Sequence, residues 1–252
     1  RRQQMITSAV DNTKPLFGPE DFYGEQKHLC EKCIIVFSEQ IFEYMCKTFR
    51  HKEVGSIHCC NGTTPVYIFD IDGMQIASYL SHIGSALAGG DVIDVNWLTG
   101  AEKFIMFGSA GSLDSSATSG KFVIPTESYR EEGLSYNYAA PADYITIKNA
   151  KTVKAIFVEL KLPSVQGKVW TTDAIYRETQ AKLAARKAEG CIAVEMELAG
   201  VQAVCNFYGW DLYDFLVTGD VLDQAVYDVS GLADANHNMD KLYIAIEIAK
   251  RI

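Results

Sequence analysis

Lys103-Phe104-Ile105-Met106-Phe107-Gly108-Ser109-Ala110-Gly111 is the stretch on which the fold turns. Its first five residues form a short, almost wholly apolar run, the pattern of a strand buried on both faces. The next four carry almost no side chain, so the strand opens into a loop whose backbone a ligand can approach closely. Upstream, Ser85 to Leu98 has helical spacing. Before it, Val66–Ile71 and Met74–Leu80 flank Asp72-Gly73, a dipeptide suited to a type I′ hairpin turn. Further back, Cys33 to Phe37 reads as a strand, Ser38 as an N-cap, and the segment from Glu39 to Phe49 as a helix. Downstream, strands are predicted at Phe122–Pro125, Val165–Trp170, Cys191–Val194 and Leu212–Val217. They alternate with helices at Ala150–Leu160, Glu178–Ala188, Glu195–Phe207 and Asn236–Arg251. This alternation is that of one α/β domain, a mixed sheet covered by helices, spanning 1–252 with residues 1–30 as an N-terminal arm. No internal repeat or linker composition divides it.

Composition narrows the functional classes. The 252 residues are 48% hydrophobic and 22% charged, with 19 Gly and 6 Pro, which excludes disorder and collagen. A net charge of −9, from 23 Lys+Arg against 32 Asp+Glu, argues against a nucleic-acid partner. No run of the roughly 18 to 20 apolar residues that a span requires is present, and Arg1-Arg2-Gln3-Gln4 does not open an apolar signal core. The expectation is a cytoplasmic protein without a membrane partner, its seven cysteines reduced. A start at Arg1 rather than Met leaves room for preceding residues.

Two further strand ends carry polar groups. Val194-Glu195-Met196-Glu197 places two carboxylates where a strand turns into a helix, a position the helix dipole favours with or without function. Thr218-Gly219-Asp220 follows the late strand; an Asp there also suits an Asx-turn or a helix cap. Together with the Gly108 segment, three strand ends converge on polar residues, and open α/β sheets bind ligands at such ends.

These motifs, in this order, resemble the purine nucleoside and uridine phosphorylase family, which also includes nucleosidases. Tyr129-Arg130-Glu131-Glu132-Gly133-Leu134-Ser135-Tyr136 is similar to the family's Arg-Glu/Asp-Gly-x-Ser stretch, and Thr171-Thr172-Asp173-Ala174-Ile175-Tyr176-Arg177 to its base-stacking segment. The resemblance covers most of the chain and implies a partly barrel-like central sheet and cleavage of a nucleoside N-glycosidic bond with phosphate. It also implies a homo-oligomer, dimer or hexamer, and no metal or organic cofactor beyond inorganic phosphate as co-substrate. By the same resemblance Glu197 holds ribose hydroxyls, a carboxylate being able to accept two hydrogen bonds from a vicinal diol. Glu195 and Met196 border the sugar, Asp220 assists a departing purine as general acid, and Ile175 or Tyr176 stacks on the base. Ser109, with Gly108, Ala110 and Gly111, lies beside nucleoside and phosphate.

The chain departs from the family at its arginines. Where the resemblance expects Gly-Asp-Pro-x-Arg after the first strand, Ser38-Glu39-Gln40-Ile41-Phe42 stands; the Arg before the Gly-Ser loop is Met106; and His58 to Thr64 offers no arginine to a neighbouring subunit. Arg130 and Arg177, each inside a matched stretch, are the replacement candidates for phosphate. Two other readings stay open: water as acceptor, with Glu195, Glu197 or Glu39 activating it, and nucleoside binding without turnover. Cys30-x-x-Cys33 with His58-Cys59-Cys60 has zinc-ligand types without zinc-ligand spacing. His28, His58 and His82 are further candidates for acid–base work.

Overall fold

Lys103–Ser112 forms a single unbroken strand, and the rest of the sheet is arranged around it in a computed structural model that describes residues 10, 13–224 and 226–252. The elements run α1 (Glu20–Tyr23), β1 (Lys32–Val36), α2 (Glu39–Thr48), β2 (Arg50–Cys59), β3 (Gly62–Ile71), β4 (Met74–Leu80) and α3 (Ser85–Thr99). Then come β5 (Lys103–Ser112), α4 (Ser115–Thr118), β6 (Phe122–Glu131), β7 (Tyr144–Thr146), α5 (Ala150–Glu159) and β8 (Ser164–Thr172). The last are α6 (Gln180–Ala188), β9 (Cys191–Glu195), α7 (Leu198–Tyr208), β10 (Asp211–Val221), α8 (Leu232–His237) and α9 (Asp240–Ala249).

All ten strands join one mixed sheet, ordered β10-β6-β8-β9-β5-β1-β4-β3-β2, with β7 on β6 and a further pairing of β10 with β5. That pairing closes β5, β10, β6, β8 and β9 into a ring, while β1, β4, β3 and β2 continue outward from β5 as an open sheet. This is the single α/β domain with a partly barrel-like sheet that the sequence predicts. Its core is clearest in β1, where Cys33 to Val36 are fully buried between parallel neighbours β4 and β5. Each such Ile or Val contributes about 1.5–3 kcal/mol by leaving water.

Strand β5 positions the site. One edge pairs with β10 from Lys103 to Ser112. The other pairs with β1 over Lys103–Met106 and with β9 only at Gly111–Ser112. The sheet therefore forks beside Phe107–Ala110, a topological switch point of the kind where ligands bind.

Several boundaries differ from those predicted. Gly108–Gly111 is not a loop: parallel pairing with β10 keeps these small residues extended. Pairing with β8 likewise carries β6 past Pro125 to Glu131, and β10 runs through Thr218-Gly219-Asp220 to Val221. Strand β9 includes Glu195, so helix α7 begins only at Leu198. The closing helix is two, α8 and α9, because Asn238 adopts an extended ψ of 110°. The Asp72-Gly73 hairpin is present, both residues having the positive φ (54° and 82°) that its turn requires. Among the described residues no helix is long and apolar enough to cross a membrane.

Candidate functional site

At the fork in β5 lies a cavity of about 770 Å³. Its walls come from Gly108–Gly111 of β5, Val194–Glu197 at the end of β9, Asp220 of β10, the segment from Ile175 to Gln180, and Ser38-Glu39 before α2. Asn236, His237 and Lys241 of α8 and α9 close it on one side. The sequence-predicted Gly108, Ser109, Ala110, Gly111, Ile175, Tyr176, Glu195, Met196, Glu197 and Asp220 are thus brought together. Arg130 and Arg177 are not.

The two neighbouring glutamates have different surroundings. Glu195 is buried, and its Oε2 accepts the backbone N–H groups of Glu197 and Leu198 at 2.7 Å each, as an N-cap would. Its Oε1 accepts the Thr171 hydroxyl. With both oxygens engaged, Glu195 holds the turn that presents Met196 and Glu197. Glu197 reaches across to the start of α3, where its Oε1 accepts the Gly84 N–H at 2.6 Å. Gly84 has φ of 95°, which a side chain would strain, and the Ser85 hydroxyl beside it donates to the Met196 carbonyl at 3.0 Å. Burial pushes both carboxyls above the usual carboxylate range, and the charge of Glu197 adds to the shift of Glu195.

Also lining the cavity, Asp220 accepts the Tyr227 hydroxyl at 3.0 Å. At the neighbouring Gly111 a Cβ would stand 2.5 Å from Leu222 Cδ1, 3.0 Å from Val194 Cγ1 and 3.2 Å from Asp220 Oδ2, so a side chain there would displace Leu222 and crowd the aspartate. Glu178, absent from the sequence reading, lines this end too, its carboxyl pushed up to about 7 by burial and by the nearby Asp220 and Glu131. Ile175 and Tyr176 occupy the mouth, with Tyr176 94% exposed, an accessible ring face for a flat ligand.

The inner end differs from expectation. Ser109 donates its hydroxyl to Asn236 Oδ1. Ser38 Oγ caps α2 by accepting the Ile41 N–H at 3.3 Å and lies 2.8 Å from His237 Nδ1. Phe42 and Met106, standing where the family resemblance expects arginines, are core residues; Phe42 stacks with Tyr67 at 5.9 Å and meets Phe69 edge-on at 6.3 Å.

Arg130 cannot replace them. It is 2% exposed, donates to the Ser135 hydroxyl at 2.8 Å and to the carbonyls of Ala140 and Ala142, and lies over the Tyr136 ring. The guanidinium is spent on folding the segment after β6. Arg177 is exposed and outside the cavity lining. Among the described residues the lysine that lines it is Lys241, for which the sequence held an unused signal: on α9 it shares the face of Ile244, Ala245 and Ile248, an odd place for an ammonium. Among the other candidates, His82 Nδ1 pairs with Asp91 at 2.9 Å away from the cavity, His58 stacks on Tyr23, and Cys33 lies in the core.

Known proteins share this architecture. The futalosine hydrolase mutant of Helicobacter pylori superposes with a TM-score of 0.71 at 14% identity, over 89% of this chain and 100% of that one. Purine nucleoside phosphorylase from Toxoplasma gondii, in complex with immucillin-H, gives 0.71 at 20% identity, over 90% and 96%. At these identities the likeness is one of fold. In sequence, the chain is 29% identical over 150 residues to uncharacterized protein R802 of Acanthamoeba polyphaga mimivirus, covering 58% of this chain. It is 27% identical over 158 residues to the DeoD-type purine nucleoside phosphorylase of Caldanaerobacter subterraneus subsp. tengcongensis, covering 60% of this chain. These matches span 59% and 66% of the relatives' own lengths. Residues 31–252 match the profile of the phosphorylase superfamily, and the chain belongs to that superfamily.

Proposed function

We propose that the chain cleaves the N-glycosidic bond of a purine nucleoside with inorganic phosphate, giving free base and ribose 1-phosphate. The observation that carries this reading is the delivery of Glu197 and Asp220, from the ends of two different strands, to one cavity. Glu197 takes the ribose hydroxyls over Met196, and Asp220 faces the base. The C1′–N bond breaks with its electron pair passing to the base, a phosphate oxygen forms the new C1′–O bond, and the hydroxyl proton of the entering phosphate ends on the base by way of Asp220. Assembly as a homo-oligomer belongs to the same proposal; Ile83 at the cavity wall and Leu87 are exposed apolar groups that a second copy would cover.

A second reading, with water as acceptor, is favoured by one observation: among the described residues no arginine lines the cavity. A mixed nucleoside panel, incubated with and without phosphate and scored for base, ribose 1-phosphate and ribose, separates the two. Phosphate-dependent ribose 1-phosphate is the expected result. Free ribose without phosphate establishes the hydrolase, and nucleoside binding in calorimetry without product from any member of the panel overturns both.

A further inference from the structure

Lys241 is 2% exposed, yet it lines the cavity. Its ammonium donates to the carbonyls of Ala235 at 2.5 Å and Asn236 at 3.3 Å, in the last turn of α8, and lies 5.8 Å from the centre of the Phe107 ring. Among the described residues no carboxylate pairs with it. Burial lowers its pKa to about 8, so the cation still predominates at pH 7. Helix-end carbonyls compensate a buried ammonium only in part, through partial charges. The Asn236 amide and the His237 ring add donors beside it, and the Ser109 hydroxyl, donating to Asn236 Oδ1, fixes how that amide is turned. With the Ser109 hydroxyl on Asn236 Oδ1, the amide's NH2 is left for another acceptor. Glu39 follows Ser38, which lies 2.8 Å from His237 Nδ1; the other acids that line the cavity, Glu178, Glu195, Glu197 and Asp220, come from other elements.

We propose that Lys241, with Ser109, Asn236 and His237, forms a subsite for a compact oxyanion, inorganic phosphate, the α9 ammonium serving where the cavity has no arginine. The subsite deepens the reading given under Proposed function, and its role as acceptor site rests on that reading. Binding of phosphate itself does not.

The test is calorimetric titration of inorganic phosphate into the full chain at pH 7 and low ionic strength, without nucleoside. Wild type is expected to bind one phosphate per chain, Lys241→Met to bind it about tenfold or more weakly, and Lys241→Arg to retain affinity within about threefold. Ser109→Ala, which keeps the buried charge, guards against a Lys241→Met chain that fails to fold; it is expected to weaken binding by about threefold or more. Absence of wild-type binding overturns the subsite. So does a folded Lys241→Met chain of wild-type affinity, the result if the ammonium only caps α8, or an unchanged Ser109→Ala. Phosphate binding with this mutational pattern but no base release supports the subsite and overturns only the glycosidic reading. Base and free ribose released by a chain that binds no phosphate does the reverse.

Discussion

In the proposed reaction Glu197 is ionised to accept two ribose hydroxyls, yet its surroundings favour the proton. As pH falls through neutrality the carboxylate is lost sooner than an ordinary glutamate's would be, because burial has raised its pKa. The acid limb of kcat/KM is therefore expected above the usual carboxylate range. Glu197→Gln should abolish that limb and lower kcat/KM by about 10²–10³-fold, and Glu197→Ala should abolish measurable turnover; a pH–rate series with one nucleoside measures both. Asp220→Asn replaces the carboxyl that passes the proton in the proposed reaction while keeping shape. It is expected to slow purine release by about 10²–10⁴-fold and to spare pyrimidine nucleosides, and equal losses for both bases in a competition assay remove the base assignment.

Among the elements, what the sequence displayed was periodicity, and what it hid was pairing. Strand β1 and the Asp72-Gly73 hairpin were legible because a buried run and a turn dipeptide are local signals. Strand β2 went unpredicted although Asn61-Gly62 marks its turn: its start, Arg50-His51-Lys52-Glu53, lies at the exposed sheet edge and has no apolar alternation. Strand continuation through Gly108–Gly111 and Thr218–Asp220 depends on each strand having the other as partner, which neither segment states alone. The same holds for the site. Glu197, Asp220 and Ser109 were found through motifs, whereas Glu178 and Lys241 acquire meaning only from what folds beside them. Arg130 was misread because a guanidinium in a matched stretch gives no sign that backbone carbonyls have claimed it. The packing of α2 on the open sheet gives a contrasting expectation: Phe42→Ala should cost about 3–5 kcal/mol in denaturant unfolding while leaving kcat within about twofold, since the ring serves the core and not the cavity.

For the molecule as a whole, three carboxyls, the buried Glu195 and Asp214 and the half-buried Glu197, are all raised, chiefly by desolvation. Each binds its proton more tightly folded than unfolded, so stability falls as pH rises from the ordinary carboxylate range through the raised folded values. Melting temperature is expected to be higher at pH 6 than at pH 8.5, and Glu195→Gln should shrink the difference; a flat profile in scanning calorimetry contradicts the assignment. The closed ring has a consequence of another kind. Lys103 of β5 lies beside Asp211 of β10, so the wall carrying Ser109 meets the wall carrying Asp220 only once β10, residues 211–221, is available. A nascent polypeptide emerging from the ribosome can complete β2 to β4 and their hairpins before this cavity exists. A ligand that needs both walls would therefore stabilise only a chain in which β10 has joined β5.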